Sequence, residues 1–304
     1  AYMSDISGEY EIWIEAQDGS MGAIQVTTGA DTYKFDLRWS PDSRKLLWSD
    51  KKLRLMYVDT ETRAVDTVDR SQIWEFNEFD WSPDSRWIAY ASPLSNNFSR
   101  IMLYDTQART KTDITGEWYN AGEPTFSRDG NYLLFVSDRD FNPIYSQTEW
   151  DHAYQNMSRI YMLALSKTTP NPFAPVNDEV KLKQEEKETK SDRLFDKSGK
   201  QDQEKNENIT MIDLDGLGSR IISLPVRPSN YWNLTCLDNK VYYNEMQAGG
   251  EGIYLRMYDL KKKEETELAK GMQYTISFDG KKMLVSQEGK YAVIDLPAGK
   301  ISPQ

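Results

Sequence analysis

At 304 residues the chain exceeds the usual single domain, which leaves open one large repeat domain or two ordinary ones. Its net charge of −11 argues against a nucleic-acid partner, which needs clustered Lys and Arg, and no apolar run approaches the roughly 20 residues that span a bilayer. Hydrophobic residues make up 38 % but aromatics reach 12 %, a mix suited to pleated sheets, and a single Cys excludes an intrachain disulfide.

In chain order, Tyr10–Ile14 and Ala23–Val26 read as the third and fourth strands of a unit whose start lies upstream of Ala1. A turn motif then begins to recur. It reads Trp39-Ser40-Pro41-Asp42-Ser43-Arg44, then Trp81-Ser82-Pro83-Asp84-Ser85-Arg86, then Phe126-Ser127-Arg128-Asp129-Gly130-Asn131. Weaker copies centre on Asp238 and Asp279. The aspartates are spaced by 42, 45, 109 and 41 residues, and three of these intervals match a four-stranded propeller blade.

Each copy has the same anatomy. An apolar residue closes one strand, a Ser/Pro/Asp/Gly turn follows, and a continuous apolar strand comes next, as in Lys45–Ser49, Trp87–Tyr90 and Tyr132–Val136. A third strand ends on Asp59, Asp105, Asp259 or Asp295, and a polar turn leads to a short fourth strand. The interval of 109 residues holds a charged, nearly apolar-free stretch that cannot bury a blade face, so it is one blade carrying an insertion at 176–208. Strands are expected to resume at Ile209–Asp213 and Ile221–Leu224.

The fold class is therefore all-β, a β-propeller of four-stranded antiparallel blades occupying residues 1–304 as one domain. The expected units are 1–30 (partial), 31–70, 71–116, 117–228 with the insertion, 229–270 and 271–304. Six are in view, the first cut short, and an intact ring implies a further blade or part of one upstream.

Chemistry is sparse. Cys236 sits in a strand-like run and reads as a small buried apolar residue. His152 is the one His, in an expected long loop, and no nucleophile elbow accompanies it. One His and one Cys exclude the usual zinc site. Asp213-Leu214-Asp215-Gly216 lacks the ligand spacing of a calcium loop and reads as a hairpin turn, so no metal or other cofactor is expected. Gly249–Gly252 reads as a hairpin loop rather than a phosphate cradle. In a propeller the first strand of each blade lines the central channel. Asp36, Arg38, Glu78, Asp80, Glu123 and Tyr231 precede the turns and are the candidate channel-lining residues, with water-facing surface charge as the alternative.

The fourth unit is the most specific. Phe126–Phe135 leads to Ser137-Asp138-Arg139-Asp140-Phe141-Asn142-Pro143-Ile144-Tyr145, then Met157–Tyr161, Pro170–Pro175, the insertion, Ile212–Leu217, Arg220 and Leu224-Pro225-Val226. That series resembles the second, seven-bladed propeller of tricorn proteases and their bacterial homologues, and the resemblance covers most of the chain. Such proteins are large serine peptidases that trim peptides inside a hollow homo-oligomer. The resemblance places the catalytic residues and a PDZ domain after this segment, so none carries over to residues 1–304. It implies a propeller that gates or filters peptides, in the bacterial cytoplasm or periplasm. The turn repeat alone also fits a stand-alone Tol-system propeller that scaffolds a protein partner. It fits the propeller of a prolyl oligopeptidase too, which would need a G-x-S-x-G hydrolase domain alongside.

Overall fold

Six antiparallel sheets follow one another in the computed structural model, which describes residues 1–140, 144–145, 152–153, 156–175, 209–247, 249–250 and 252–301. The insertion expected at 176–208 lies outside the described residues. The first sheet holds β1 (Tyr2–Ser4), β2 (Glu11–Ile14) and β3 (Ile24–Gln25). The second holds β4 (Lys34–Trp39), β5 (Lys45–Asp50), β6 (Arg54–Asp59) and β7 (Val65–Arg70). The third holds β8 (Phe79–Trp81), β9 (Trp87–Pro93), β10 (Ser99–Asp105) and β11 (Thr110–Asp113). The fourth begins with β12 (Ala121–Phe126) and β13 (Tyr132–Ser137). A separate hairpin of β14 (Ile144–Tyr145) and β15 (His152–Ala153) follows, before β16 (Arg159–Ala164) and β17 (Ile221–Ser223) complete the sheet. The fifth holds β18 (Asn230–Leu237), β19 (Lys240–Met246), β20 (Tyr254–Asp259) and β21 (Glu264–Lys270). The sixth holds β22 (Gln273–Ile276), β23 (Lys282–Gln287) and β24 (Lys290–Asp295). Strands pair in sequence order within each sheet, so every blade is an up-and-down meander.

The second strand of each blade is apolar on both faces because both faces are buried. Along β13, Leu133 and Phe135 pack towards the third sheet with Ala89, Ile101 and Leu103. Leu134 and Val136 point the other way, towards Leu234, Val241 and Tyr243 of the fifth. The period-2 alternation of a strand thus supplies two apolar layers from one run. Comparable layers join every neighbouring pair of sheets: Ile12 and Val26 with Leu46 and Trp48, Leu47 and Tyr57 with Phe79 and Trp81, and Leu255 and Met257 with Tyr274 and Met283.

The recurring turn depends on its serine as much as its aspartate. In the second sheet the Lys45 amide donates to Ser40 Oγ at 2.8 Å, and Ser40 Oγ donates to Asp42 Oδ1 at 2.6 Å. Asp42 Oδ1 also accepts from the Arg44 amide, and Ser43 takes the left-handed conformation at φ 60°. Ser82, Ser127 and Ser277 repeat the serine bonds with Asp84, Asp129 and Asp279. The fifth sheet departs from this pattern. Leu237 pairs with Lys240 across a two-residue turn in which Asp238 and Asn239 both have positive φ, 48° and 64°, the geometry of a tight hairpin. That turn is shorter, and Arg128 of the fourth sheet reaches past it to donate to the Ser277 carbonyl of the sixth at 2.8 Å.

Two local expectations are corrected. Ile209–Asp213 forms no strand: Ile209 and Met211 are exposed, and the segment is tied by single bonds from the Thr210 amide to Asp84 Oδ2 and from the Asp213 amide to the Leu165 carbonyl. The Asp213–Gly216 run leads into a short 3₁₀ turn at Leu217–Arg220, not directly into a second strand, and its aspartates bond to Ser166 and Lys167. β1 was not foreseen, because a three-residue strand of mixed polarity has no periodicity to read.

Candidate functional site

Among the described residues, the most extensive strand-to-strand approaches between blades involve the first strands β12 and β18. The first strands therefore converge on the inner edge of the array. Three carry a bulge at one shared position: between Phe35 and Arg38 in β4, Gly122 and Thr125 in β12, and Trp232 and Thr235 in β18. Within those bulges Asp36, Glu123 and Asn233 sit at positive φ, 49°, 54° and 55°. A bulge breaks the ladder locally and leaves a backbone amide unpaired within its own sheet. In β12 and β18 the neighbouring blade accepts it.

The acceptors form a relay along the inner edge. Glu78 Oε2, just before β8, accepts from the Glu123 amide at 2.6 Å, and Glu123 Oε2 accepts from the Asn233 amide at 3.0 Å. The Asn233 side chain continues it, donating to the Tyr274 carbonyl at 2.9 Å, and the Tyr274 hydroxyl returns a bond to the Asn233 carbonyl at 2.5 Å. One turn further along, Asp80 Oδ2 accepts from the Phe126 amide at 2.9 Å, and Arg38 donates to the Phe79 carbonyl at 2.5 Å. Gly122 leaves room for this relay: a Cβ there would stand 2.5 Å from Glu78 Oε2, so a larger residue needs the end of the Glu78 side chain to move.

The electrostatics follow from crowding carboxylates in a partly buried seam. Burial pushes Asp80 up to about 6, against the Phe126 amide and the Arg38 guanidinium, which favour its charged form. Burial first, and then the nearby Glu78, raises Glu123.

Four of the six sequence candidates, Arg38, Glu78, Asp80 and Glu123, are thus joined along one seam, and Asp36 holds the equivalent bulge position in β4. Asp36 and Arg38 are exposed, while Glu78, Asp80 and Glu123 are half-buried. Asp36 is a methylene shorter than Glu78 and makes no side-chain hydrogen bond to the next blade. Tyr231 is placed elsewhere. It is buried between the fourth and fifth sheets, edge-on to Tyr243, and its hydroxyl donates to the Arg227 carbonyl. The equivalent inner position in the fifth sheet is Asn233, which the sequence reading missed. Counting back three residues from the apolar residue before the turn, Cys236, finds it; counting from Asp238 does not, because the turn is shorter.

The remaining reactive residues do not join the seam. Cys236 is buried, which raises its thiol well above the ordinary range. His152 lies in β15, which pairs with β14, and no group of three or more His, Cys, Asp or Glu side chains arranged to hold a metal occurs among the described residues. Nor is any described helix long and apolar enough to cross a membrane.

The family model for the tricorn protease second beta propeller domain matches residues 1–297. Tricorn protease homolog 1 of Streptomyces coelicolor is 26 % identical over 269 residues, covering 84 % of this chain and 24 % of that protein. The crystal structure of the tricorn protease superposes with a TM-score of 0.74 at 20 % identity, over 91 % of this chain and 26 % of that one. TolB from Acinetobacter baumannii gives 0.51 at 14 % identity, over 96 % of this chain and 61 % of that one, a likeness of fold. The chain spans about a quarter of the length of the tricorn relatives it matches.

Proposed function

The chain belongs to the tricorn second β-propeller family, and on that premise we propose that it gates or filters peptides on their way to an active site held in other domains. In this reading the segment is not itself catalytic. Its partners are peptides, the peptidase and PDZ domains of the same polypeptide, and further copies in a homo-oligomer. The observation that carries the reading is the seam. Exposed Asp36 and Arg38 and half-buried Glu78 and Glu123 stand on or just before the first strands, where they present charge along the inner edge. A charged, hydrated wall suits passage of extended polypeptide because it offers no large apolar patch on which a chain would stall. The Tol-type scaffold reading shares the fold but explains nothing particular about this seam.

The test uses the full-length parent protein, with other accessible thiols replaced. Asp36 is exposed and changes to Cys without disturbing a buried contact, whereas Cys236 is buried and shielded from labelling. Attaching a bulky maleimide at position 36 is expected to slow cleavage of peptides of about twenty residues several-fold and to spare a dipeptide reporter. Equal rates for both with and without the label would sink the proposal.

A further inference from the structure

A cavity of about 370 Å³ opens at one end of the third sheet, lined by residues that include Ile73, Trp74, Glu75, Glu78, Leu94 and Phe98. Its walls are two loops that belong to the same end of the blade: the connection from β7 to β8 and the hairpin between β9 and β10. Both loops are pinned. The Ile73 and Trp74 amides donate to Ser71 Oγ at 3.1 and 3.2 Å. The Leu94 amide donates to the Phe98 carbonyl at 2.7 Å, and the Phe98 amide to Asn96 Oδ1 at 3.0 Å. The cavity floor includes buried Ala91, whose amide donates to the Glu78 carbonyl at 2.9 Å. The cavity is therefore preformed, and its volume is at the lower end for ligand sites, enough for a single side chain rather than a folded partner.

Its lining is chemically one-sided. Trp74 is 63 % exposed and Phe98 39 %, so two aromatic rings are offered to solvent at the opening. The charged residues in the lining are Glu75 and Glu78, and neither has an ion-pair partner among the described residues. A second cavity, about 150 Å³ between the first and second sheets, makes the contrast. It has Lys34 and Arg54 in its wall, already paired with Glu11, Asp31 and Asp50. The unpaired Glu75 carboxylate, with Glu78 beside it holding the Glu123 amide through Oε2, adds negative charge next to exposed aromatic faces and attracts a cation with an apolar stem, through charge and through the ring quadrupole together.

We propose that this cavity binds the lysine or arginine side chain of an extended peptide. The inference rests on the reading of the propeller as a route for peptides, and it places a selective contact next to the seam, since Glu78 belongs to both. A peptide passing along the inner edge would be held briefly by a basic residue while its backbone lies across the end of the third blade.

The probe is acetyl-Ala-Ala-Lys-Ala-Ala-amide, titrated by ligand-observed NMR against the 304-residue chain, with norleucine in place of lysine as the uncharged comparison. The lysyl peptide is expected to bind about tenfold more tightly than the norleucyl one. Trp74→Ala and Glu75→Gln each should remove most of that preference without moving the melting temperature, since neither side chain is buried. Equal affinity for the two peptides, or a preference untouched by both substitutions, overturns the assignment. A norleucyl peptide with a free amino terminus that binds as well as the lysyl one also overturns it, in favour of amino-terminal capture. A lost lysine preference alongside a retained effect of the position-36 label removes this cavity's role and leaves the access reading standing. The reverse result removes the access reading and leaves the cavity.

Discussion

The apolar layer between the third and fourth sheets and the polar seam along their inner edge join the same two blades by different physics. In the layer, Trp87, Ile101 and Leu103 meet Phe126, Phe135 and Tyr161 with almost no exposure, and contact of that kind has little directional demand. In the seam, a single carboxylate must find a single amide, Glu78 to Glu123 at 2.6 Å. The layer supplies most of the cohesion and the seam sets the angle and register at which the blades meet. A solvent-facing inner edge is free to carry charge only because the blades are held together behind it.

The largest effect separating the two regions should come from the layer. Phe135 is fully buried and stacks on Tyr161 with ring centroids 5.7 Å apart. Phe135→Ala is expected to cost about 3–5 kcal/mol in urea unfolding, through lost transfer energy and the cavity left behind. A cost below about 1 kcal/mol would break the claim that the layer dominates.

A smaller, pH-dependent effect belongs to the seam. Asp80 titrates in the fold at about 6 against an ordinary 3.8, so between those values the native state holds a proton that the unfolded chain has lost. The contribution of Asp80 to stability should therefore fall as pH rises from 4 to 6 and level off above. Asp80→Asn keeps an oxygen for the Phe126 amide and removes the charge. It should remove the Asp80 part of the slope and leave the smaller part due to Glu123, making the variant more stable than the parent at pH 7 by on the order of 2 kcal/mol and no different near pH 3. Parallel curves for the two proteins across this range would mean that Asp80 is not held in a desolvated seam.

Much of this architecture is legible in the sequence because it rests on repeated chemistry. Ser40, Ser82 and Ser127 precede their aspartates by two residues in the sequence, and the apolar runs of β5, β9 and β13 advertise strands buried on both faces. Asp36, Glu78 and Glu123 are found by the same count. What the sequence hides is context. Asn233 escapes because the Asp238-Asn239 turn drops the serine and shortens the repeat. Tyr231 looks like a first-strand residue aimed inward, but the bulge after Trp232 resets which side chains face the seam. The role of Gly122 is hidden too, because nothing in its own neighbourhood announces that Glu78, forty-four residues earlier, closes over it.

Gly122 also gives the smallest and most discriminating test. An alanine there must push the Glu78 carboxylate aside, releasing the Glu123 amide while leaving the apolar layer intact, and its net cost should be about 1 kcal/mol once the reduced freedom of the unfolded chain is counted. Amide hydrogen exchange on the Gly122→Ala protein reads this residue by residue. The Glu123 amide should lose its protection while those of Leu134 and Phe135 in β13 keep theirs. Unchanged protection at Glu123, or loss shared equally by β13, would contradict a seam that acts separately from the layer.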